Sequence, residues 1–139
     1  MNKLSTVDYH LYHGQREMIK HYNRNLLKSY GISYQQYLVM MVLSEHHDMP
    51  VLKLGEKLAF QSGTITPILK KMEADELVIR SRSETDERVV MVSLAKTGQA
   101  LLEDIQHIPD EMFKDSKVTI EEYKRLMYLM NKIVHNIEV

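Results

Sequence analysis

Val51-Leu52-Lys53-Leu54-Gly55-Glu56-Lys57-Leu58, then Gln61-Ser62-Gly63, then Thr64-Ile65-Thr66-Pro67-Ile68-Leu69-Lys70-Lys71-Met72 is the stretch whose reading decides the fold. Val51, Leu54 and Leu58 share one face of a short helix, the Gln-Ser-Gly step breaks it, and apolar periodicity resumes from Thr64 to about Asp75. A short helix, a turn with Gly and a second helix form the helix-turn-helix pattern, whose second helix suits a DNA major groove. Leu77-Val78-Ile79-Arg80-Ser81-Arg82 and Val89-Val90-Met91-Val92-Ser93-Leu94 follow at once. Being rich in β-branched residues and separated by the polar Ser83–Arg88, they read as a β-hairpin.

Upstream of this block, Ser33 and Gln36 have the spacing of a capping box, with Ile32 and Tyr37 as the flanking apolar staple. The helix they open, Tyr37-Leu38-Val39-Met40-Met41-Val42-Leu43, is apolar nearly all round, as a central helix should be, and it stops at Glu45-His46-His47-Asp48 before Pro50. Further back, Val7, Leu11, Gly14, Met18 and Tyr22 mark an amphipathic helix from roughly Thr6 to Tyr30, closed by Gly31. Downstream, a helix carrying Gly98, Leu101, Leu102 and Ile105 runs to about His107, and Pro109 interrupts it. The last helix has Thr119 and Glu122 as a second capping box and Val118 with Tyr123 as staple. Its apolar stripe is Tyr123, Leu126, Met127, Met130, Ile133, Val134 and Ile137.

Helix-turn-helix plus hairpin is a winged helix, so the expected architecture is mainly α with a small β-hairpin wing. The whole chain, 1–139, reads as a single domain, with 32–95 as its winged-helix core. The outer helices, 1–31 and 96–139, offer more apolar face than one small core can cover, which predicts that they are dimerisation helices.

The 139 residues contain no Cys, which removes disulfides, thiolate metal sites and thiol chemistry, and fits a reducing cytoplasm. At 44% hydrophobic and 27% charged residues, the chain suits a packed core and not a disordered segment. No apolar run approaches the roughly 20 residues of a membrane span, and Met1–Thr6 leads into polar residues, so neither secretion nor membrane insertion is expected. Phosphate-binding loops, dinucleotide fingerprints, nucleophile elbows and HExxH pairs are missing, and no enzyme is read here.

The wing segment makes a family resemblance specific. Asp86-Glu87-Arg88, followed by the alternating Val90, Val92 and Leu94 and then Gly98, resembles the D-x-R and L-T-x-x-G pattern of MarR-family transcriptional regulators. One departure is Ala95, where the family has a helix-capping Thr, a loss of about 1 kcal/mol. Across nearly the whole chain, Arg16-Glu17-Met18, Tyr34–Val39, Ser62–Glu73 and Arg82–Arg88 are similar to the organic-peroxide-sensing branch of that family. In this register Asp8 stands where that branch carries its reactive cysteine.

The resemblance implies a homodimeric, bacterial, nucleoid-associated repressor on pseudo-palindromic promoter DNA. It also implies that Arg88 reaches the minor groove or its phosphates, and that tyrosines near Asp8 line an effector pocket for an unknown small molecule. That pocket would draw on Asp8, Tyr9, Tyr12, Tyr22, Tyr34 and Tyr37, with simple aromatic packing as the alternative. From the residues themselves, Gln61, Ser62, Thr64 and Thr66 are hydroxyl or amide groups at the start of the reading helix, and Lys70 and Lys71 are phosphate contacts or a solvated face. Ser62 is read equally as a helix cap and as a DNA contact. Arg82 and Arg88 flank the wing turn, where the alternative is an Asp86–Arg88 ion pair that staples the hairpin.

The net charge of −1 does not speak against DNA, because Gln61–Met72 holds two lysines and no acid. His10, His13 and His21 lie along one helix, but the weak spacing and absent thiolates leave metal sensing as a minor alternative, and no metal or cofactor is expected. Methionine sensing is set aside because Met40, Met41, Met127 and Met130 sit at core periodicity. Three readings therefore compete: a regulator whose sensing uses no thiol, a constitutive DNA-binding protein without a sensor, and a protein-interaction module.

Overall fold

The computed structural model describes residues 2–138, apart from the side chain of Ser62. The chain forms two compact units that divide between Gln106 and His107. The first opens with a 3₁₀ turn, Lys3–Ser5, and α1, Val7–His21. The expected single helix to Tyr30 is instead three pieces: α1, a π-helical turn at Tyr22–Leu26 and a 3₁₀ turn at Lys28–Tyr30. The widened turn is closed by Leu27 N–H donating to the Tyr22 carbonyl at 2.8 Å, and it brings both Leu26 and Leu27 into the core. Gly31 ends the segment at φ 72°, the left-handed region that glycine enters without steric cost.

Helix α2, Tyr34–His46, begins with the anticipated capping box: Gln36 N–H donates to Ser33 Oγ at 3.2 Å and Ser33 N–H to Gln36 Oε1 at 3.0 Å. It buries Gln36, Tyr37, Val39, Met40 and Leu43, which makes it the central helix of the unit. A two-residue strand β1, Met49–Pro50, leads into α3, Val51–Lys57, and then α4, Ser62–Ala74. Strands β2, Val78–Arg82, and β3, Val90–Leu94, form the hairpin. The hairpin is extended to a three-stranded antiparallel sheet in the order β1-β3-β2, with Val92 paired to both Met49 and Arg80. Ile65, Leu69 and Met72 of α4 and Leu54 of α3 complete the core with Leu77, Val78 and Val92.

Helix α5, Lys96–Asp104, starts at Ala95, which is extended and offers no side-chain cap. Its first turn presses against the start of β2: Ala95 N–H donates to the Leu77 carbonyl at 3.0 Å, and a Cβ added at Gly98 would collide with that same oxygen. Glycine is therefore required at position 98 by close approach and not by its dihedral freedom.

In the second unit Pro109 does not simply end a helix but sits in the first turn of a new one, α6, Ile108–Ser116, which the left-handed Lys117 closes. Helix α7, Ile120–Ile137, has its capping box intact, with Glu122 N–H donating to Thr119 Oγ1 and Thr119 N–H to Glu122 Oε1. Phe113 and Tyr123 meet edge to face at 5.3 Å between α6 and α7. Neither α1 nor α7 buries a residue, and α7 leaves Leu126 58% and Ile137 71% exposed. Among the described residues no helix is long and apolar enough to cross a membrane.

Ala95→Thr is expected to raise unfolding free energy by about 1 kcal/mol by supplying the missing cap. Gly98→Ala is expected to lower it by about 1–3 kcal/mol through overpacking against Leu77. Urea unfolding at fixed protein concentration reads both, and an unshifted midpoint for Gly98→Ala would contradict the close approach.

Candidate nucleic-acid interface

Helix α4 begins two residues earlier than its periodicity suggests, with Gln61 as N-cap and no side-chain cap hydrogen bond. Its first turn is closed through the backbone alone, where Thr64 and Ile65 N–H both donate to the Gln61 carbonyl. Thr64 is thus inside the helix and does not cap it, and the role proposed for the Ser62 side chain lies outside the described residues. Pro67 falls in the helix interior, where it withholds one backbone donor near the N-terminus. Gln61, Thr66, Lys70 and Lys71 are exposed and Thr64 is half-buried, so α4 presents the expected residues around a buried Ile65, Leu69 and Met72. Lys71 is shared with Asp75, 3.3 Å away, in an exposed pair of little stability.

The wing tip is organised by Ser83, whose hydroxyl oxygen accepts from the N–H groups of Thr85 and Asp86. Ser83 N–H donates to the Val89 carbonyl at 2.8 Å and closes the loop. Arg82 Nη1 reaches the Glu87 carbonyl at 3.2 Å. Arg88 does form the stapling pair: Nε lies 3.2 Å from Asp86 Oδ1 and Nη2 3.4 Å from Oδ2, and the Arg88 N–H also donates to Oδ1. The Arg88 side chain nevertheless remains 91% exposed, so the carboxylate aims the guanidinium without covering it. Those hydrogen bonds, first from the side chain and then from the backbone of Arg88, hold the Asp86 carboxyl below its ordinary range.

A groove of about 500 Å³ lies between the wing, from which Arg80 and Arg88 line it, and the start of α3 at 50–53, with Thr66 of α4 also in its lining. On the other side of α4, Pro67, Ile68 and Lys71 line a second cavity of about 620 Å³ together with Asn23, Lys28, Ser33 and Gln36.

The six residues read as an effector pocket divide. Tyr22, Tyr34 and Tyr37 form one cluster, with ring centroids 4.7, 5.6 and 6.0 Å apart, and Tyr34 N–H donates to Asn23 Oδ1 at 2.8 Å. Burial raises the Tyr34 phenol pKa, and burial with the neighbouring Tyr22 and Tyr34 raises that of Tyr37 further, so these rings are neutral up to strongly alkaline pH. Asp8, Tyr9 and Tyr12 lie instead on the exposed α1, where Tyr9 stacks on His13 and Tyr12 carries the Arg16 guanidinium. At about 1.5 Å rise per residue, Asp8 is roughly 21 Å from Tyr22 along the helix, so one chain does not bring the two groups together. Among the described residues no cluster of potential metal ligands occurs. Strand β1 and Arg80 carry no local sequence signal of their roles, since the first depends on pairing with β3 and the second on Glu73 in another element.

The family described as transcriptional regulator SarA/Rot matches residues 10–105. The organic hydroperoxide resistance transcriptional regulator of Bacillus subtilis is 42% identical over 128 residues, which cover 90% of this chain and 86% of that protein. The structure of reduced AbfR from Staphylococcus epidermidis bound to DNA superposes with a TM-score of 0.79 at 28% identity, covering 94% of this chain and 89% of that one. A mutant Escherichia coli MarR complexed with operator DNA shares the fold with a TM-score of 0.86, at 20% identity and 96% coverage of each chain.

Because the Asp86 carboxyl is depressed, its contribution to wing order is present above the unfolded value of 3.8 and is lost as pH falls through the lower folded value. Carboxyl carbon NMR should give Asp86 a midpoint below 3.8 in the parent, and a higher one in Arg88→Ala, which loses the side-chain hydrogen bonds but keeps the backbone N–H that donates to Oδ1. The same midpoint in both proteins would remove the Arg88 contact.

Proposed function

The chain belongs to the SarA/Rot-type family of winged-helix transcriptional regulators, and from that premise we propose that it is a homodimeric, sequence-specific DNA-binding repressor whose sensing uses no thiol. The observation that carries this is the joint exposure of an acid-free reading face on α4 and of Arg82 and Arg88 on the wing beside it. Each protomer lays α4 in a major groove, with Gln61, Ser62, Thr64 and Thr66 toward base edges or phosphates and Lys70 and Lys71 toward the backbone. Arg88, with Arg82 behind it, enters the adjacent minor groove, where a guanidinium reads both shape and charge.

The dimer is formed by the outer helices, 1–31 and 96–139, about the winged core 32–95, because α1 and α7 carry the unburied apolar faces. Two-fold symmetry then calls for a pseudo-palindromic operator with half-sites about 10 bp apart. The protein acts in the bacterial cytoplasm, on nucleoid DNA, and has no catalytic role. A pocket that uses Asp8, Tyr9 and Tyr12 together with Tyr22, Tyr34 and Tyr37 requires a second chain, since within one chain the two groups are a helix length apart. The relative from Bacillus subtilis is named for organic hydroperoxide resistance. In the present chain Asp8 cannot form a sulfenic acid, so the signal is of another chemistry.

Fluorescence anisotropy on a labelled duplex selected from randomised DNA tests the reading. A specific complex should form and weaken steeply with salt, and Arg88→Ala should weaken it at least tenfold. No specific complex at any salt would leave the protein-interaction module as the better account. Organic hydroperoxide, at doses that leave methionines unmodified, should not release the DNA from the parent. Release under those conditions would contradict non-thiol sensing, and a peroxide response gained by Asp8→Cys would support the two-chain pocket.

A further inference from the structure

The wing is joined to α4 by only Asp75, Glu76 and Leu77. In this joint Glu76 takes a left-handed conformation at φ 62°, and Glu76 and Leu77 N–H fold back on the carbonyls of Glu73 and Met72. An ion pair crosses it. Arg80, in the middle of β2, directs Nη2 at 3.0 Å and Nε at 3.3 Å to the same Oε1 of Glu73, in the last turn of α4. The pairs Lys20–Glu17, Lys71–Asp75, Arg88–Asp86 and His107–Glu111, by contrast, each join residues within four positions and restrain nothing beyond their own turn.

The crossing pair is also the better shielded. Its side chains are 25% and 40% exposed, and the Arg80 hydrogen bond holds the Glu73 carboxyl below its ordinary range. Arg80 lies opposite Val92, the residue of the central strand that is also paired to β1, so its backbone is fixed to the sheet. Its side chain lies at the groove that Thr66 lines from α4 and Arg88 from the wing.

We propose that Arg80 is a positioning residue, which braces the wing against α4 through Glu73 and so sets the separation between Thr66 and Arg88. The inference rests on the DNA-binding reading and assigns to Arg80 a task different from that of its neighbours. Arg82 and Arg88 present their charge outward, whereas the charge of Arg80 is spent inside the protein on a carboxylate. A brace matters to a two-point reader because each groove contact is useful only when the other is in register. The buried Leu77 and Val78 seat the root of the sheet, and a wing left to bend beyond that root would lose the entropy of the motion on binding.

Salt dependence separates a brace from a phosphate contact, because each phosphate contact removed lowers the slope of log K against log salt by about 0.9. Arg80→Ala is expected to weaken the selected duplex about tenfold with the slope unchanged, and Glu73→Arg alone to weaken it as well. The exchanged double variant, E73R with R80E, is expected to recover most of the loss. A slope reduced by about one in Arg80→Ala, or a double variant no better than the singles, overturns the brace.

The absence of cysteine permits a readout without DNA. Spin labels at Ala74→Cys and Glu84→Cys, on protein diluted with unlabelled chain, should give a narrow distance distribution in the parent background. That distribution should broaden with Arg80→Ala and narrow again in the double variant, and an unchanged one overturns the proposal. Circular dichroism melts confirm that each variant is folded. If the parent itself binds no selected duplex, the DNA reading falls, and the distance distributions then decide the brace by themselves.

Discussion

The crossing of the chain at Leu77 is the constraint on which the reading head depends. Here α4 ends, β2 begins and α5 returns, and one carbonyl oxygen meets all three demands. It follows α4 by a single tight turn, it accepts the Ala95 N–H, and it lies so close to α5 that position 98 must lack a side chain. With Leu77 and Val78 buried beside Met72 and Val92, the sheet has one seat on the helices. Removing a methyl-sized allowance at such a point is costly because packed interiors have no slack to absorb it. The interface is therefore set from its base: the hairpin can be long, polar and exposed at its tip because its root is fixed.

The same economy governs the other end of α4. The elbow Ile32–Gln36 carries the capping box of α2, receives the tyrosine cluster from Tyr22 and lines a cavity with Pro67, Ile68 and Lys71. The π-helical turn at Tyr22–Leu26 makes this possible, since its extra residue per turn lets two consecutive leucines reach the core while Tyr22 still meets Tyr34 and Tyr37. Within the first unit, the elbow is where the N-terminal helix and the reading helix share neighbours.

Much of this was legible in the sequence wherever a local rule decides conformation. Ser33 with Gln36 and Thr119 with Glu122 gave both helix starts to the residue, and Gly31 gave a stop, because caps and left-handed closures are short-range chemistry. The hairpin was legible from its β-branched runs. Strand β1 was not, since Met49 and Pro50 become a strand only because Val92 and Met91 lie opposite. The π turn was not, since its cause is burial of Leu26 and Leu27. Helix α6 is not legible because Pro109 reads as an interruption, whereas it stands in a first turn, where its missing N–H costs nothing. For the proposed interface, residue type and helical register single out groups on α4 and the wing tip, of which Gln61, Thr66, Lys70, Lys71, Arg82 and Arg88 are exposed. The division of three wing arginines into two outward and one inward was beyond them, because it depends on Glu73 seven residues upstream in another element.

Net charge and local field are separate quantities in this chain. A total of −1 is compatible with a reading face because its acids are placed where they work for the cations. Asp86 aims Arg88 while leaving it 91% exposed, and Glu73 takes up Arg80 and leaves the wing's outward charge to Arg82 and Arg88. A duplex bound as proposed meets exposed Lys70 and the outward Arg82 and Arg88, while the charge of Arg80 is taken up by Glu73. Screening over about 8 Å at physiological salt makes that local arrangement, and not the sum over 139 residues, the field the phosphates encounter.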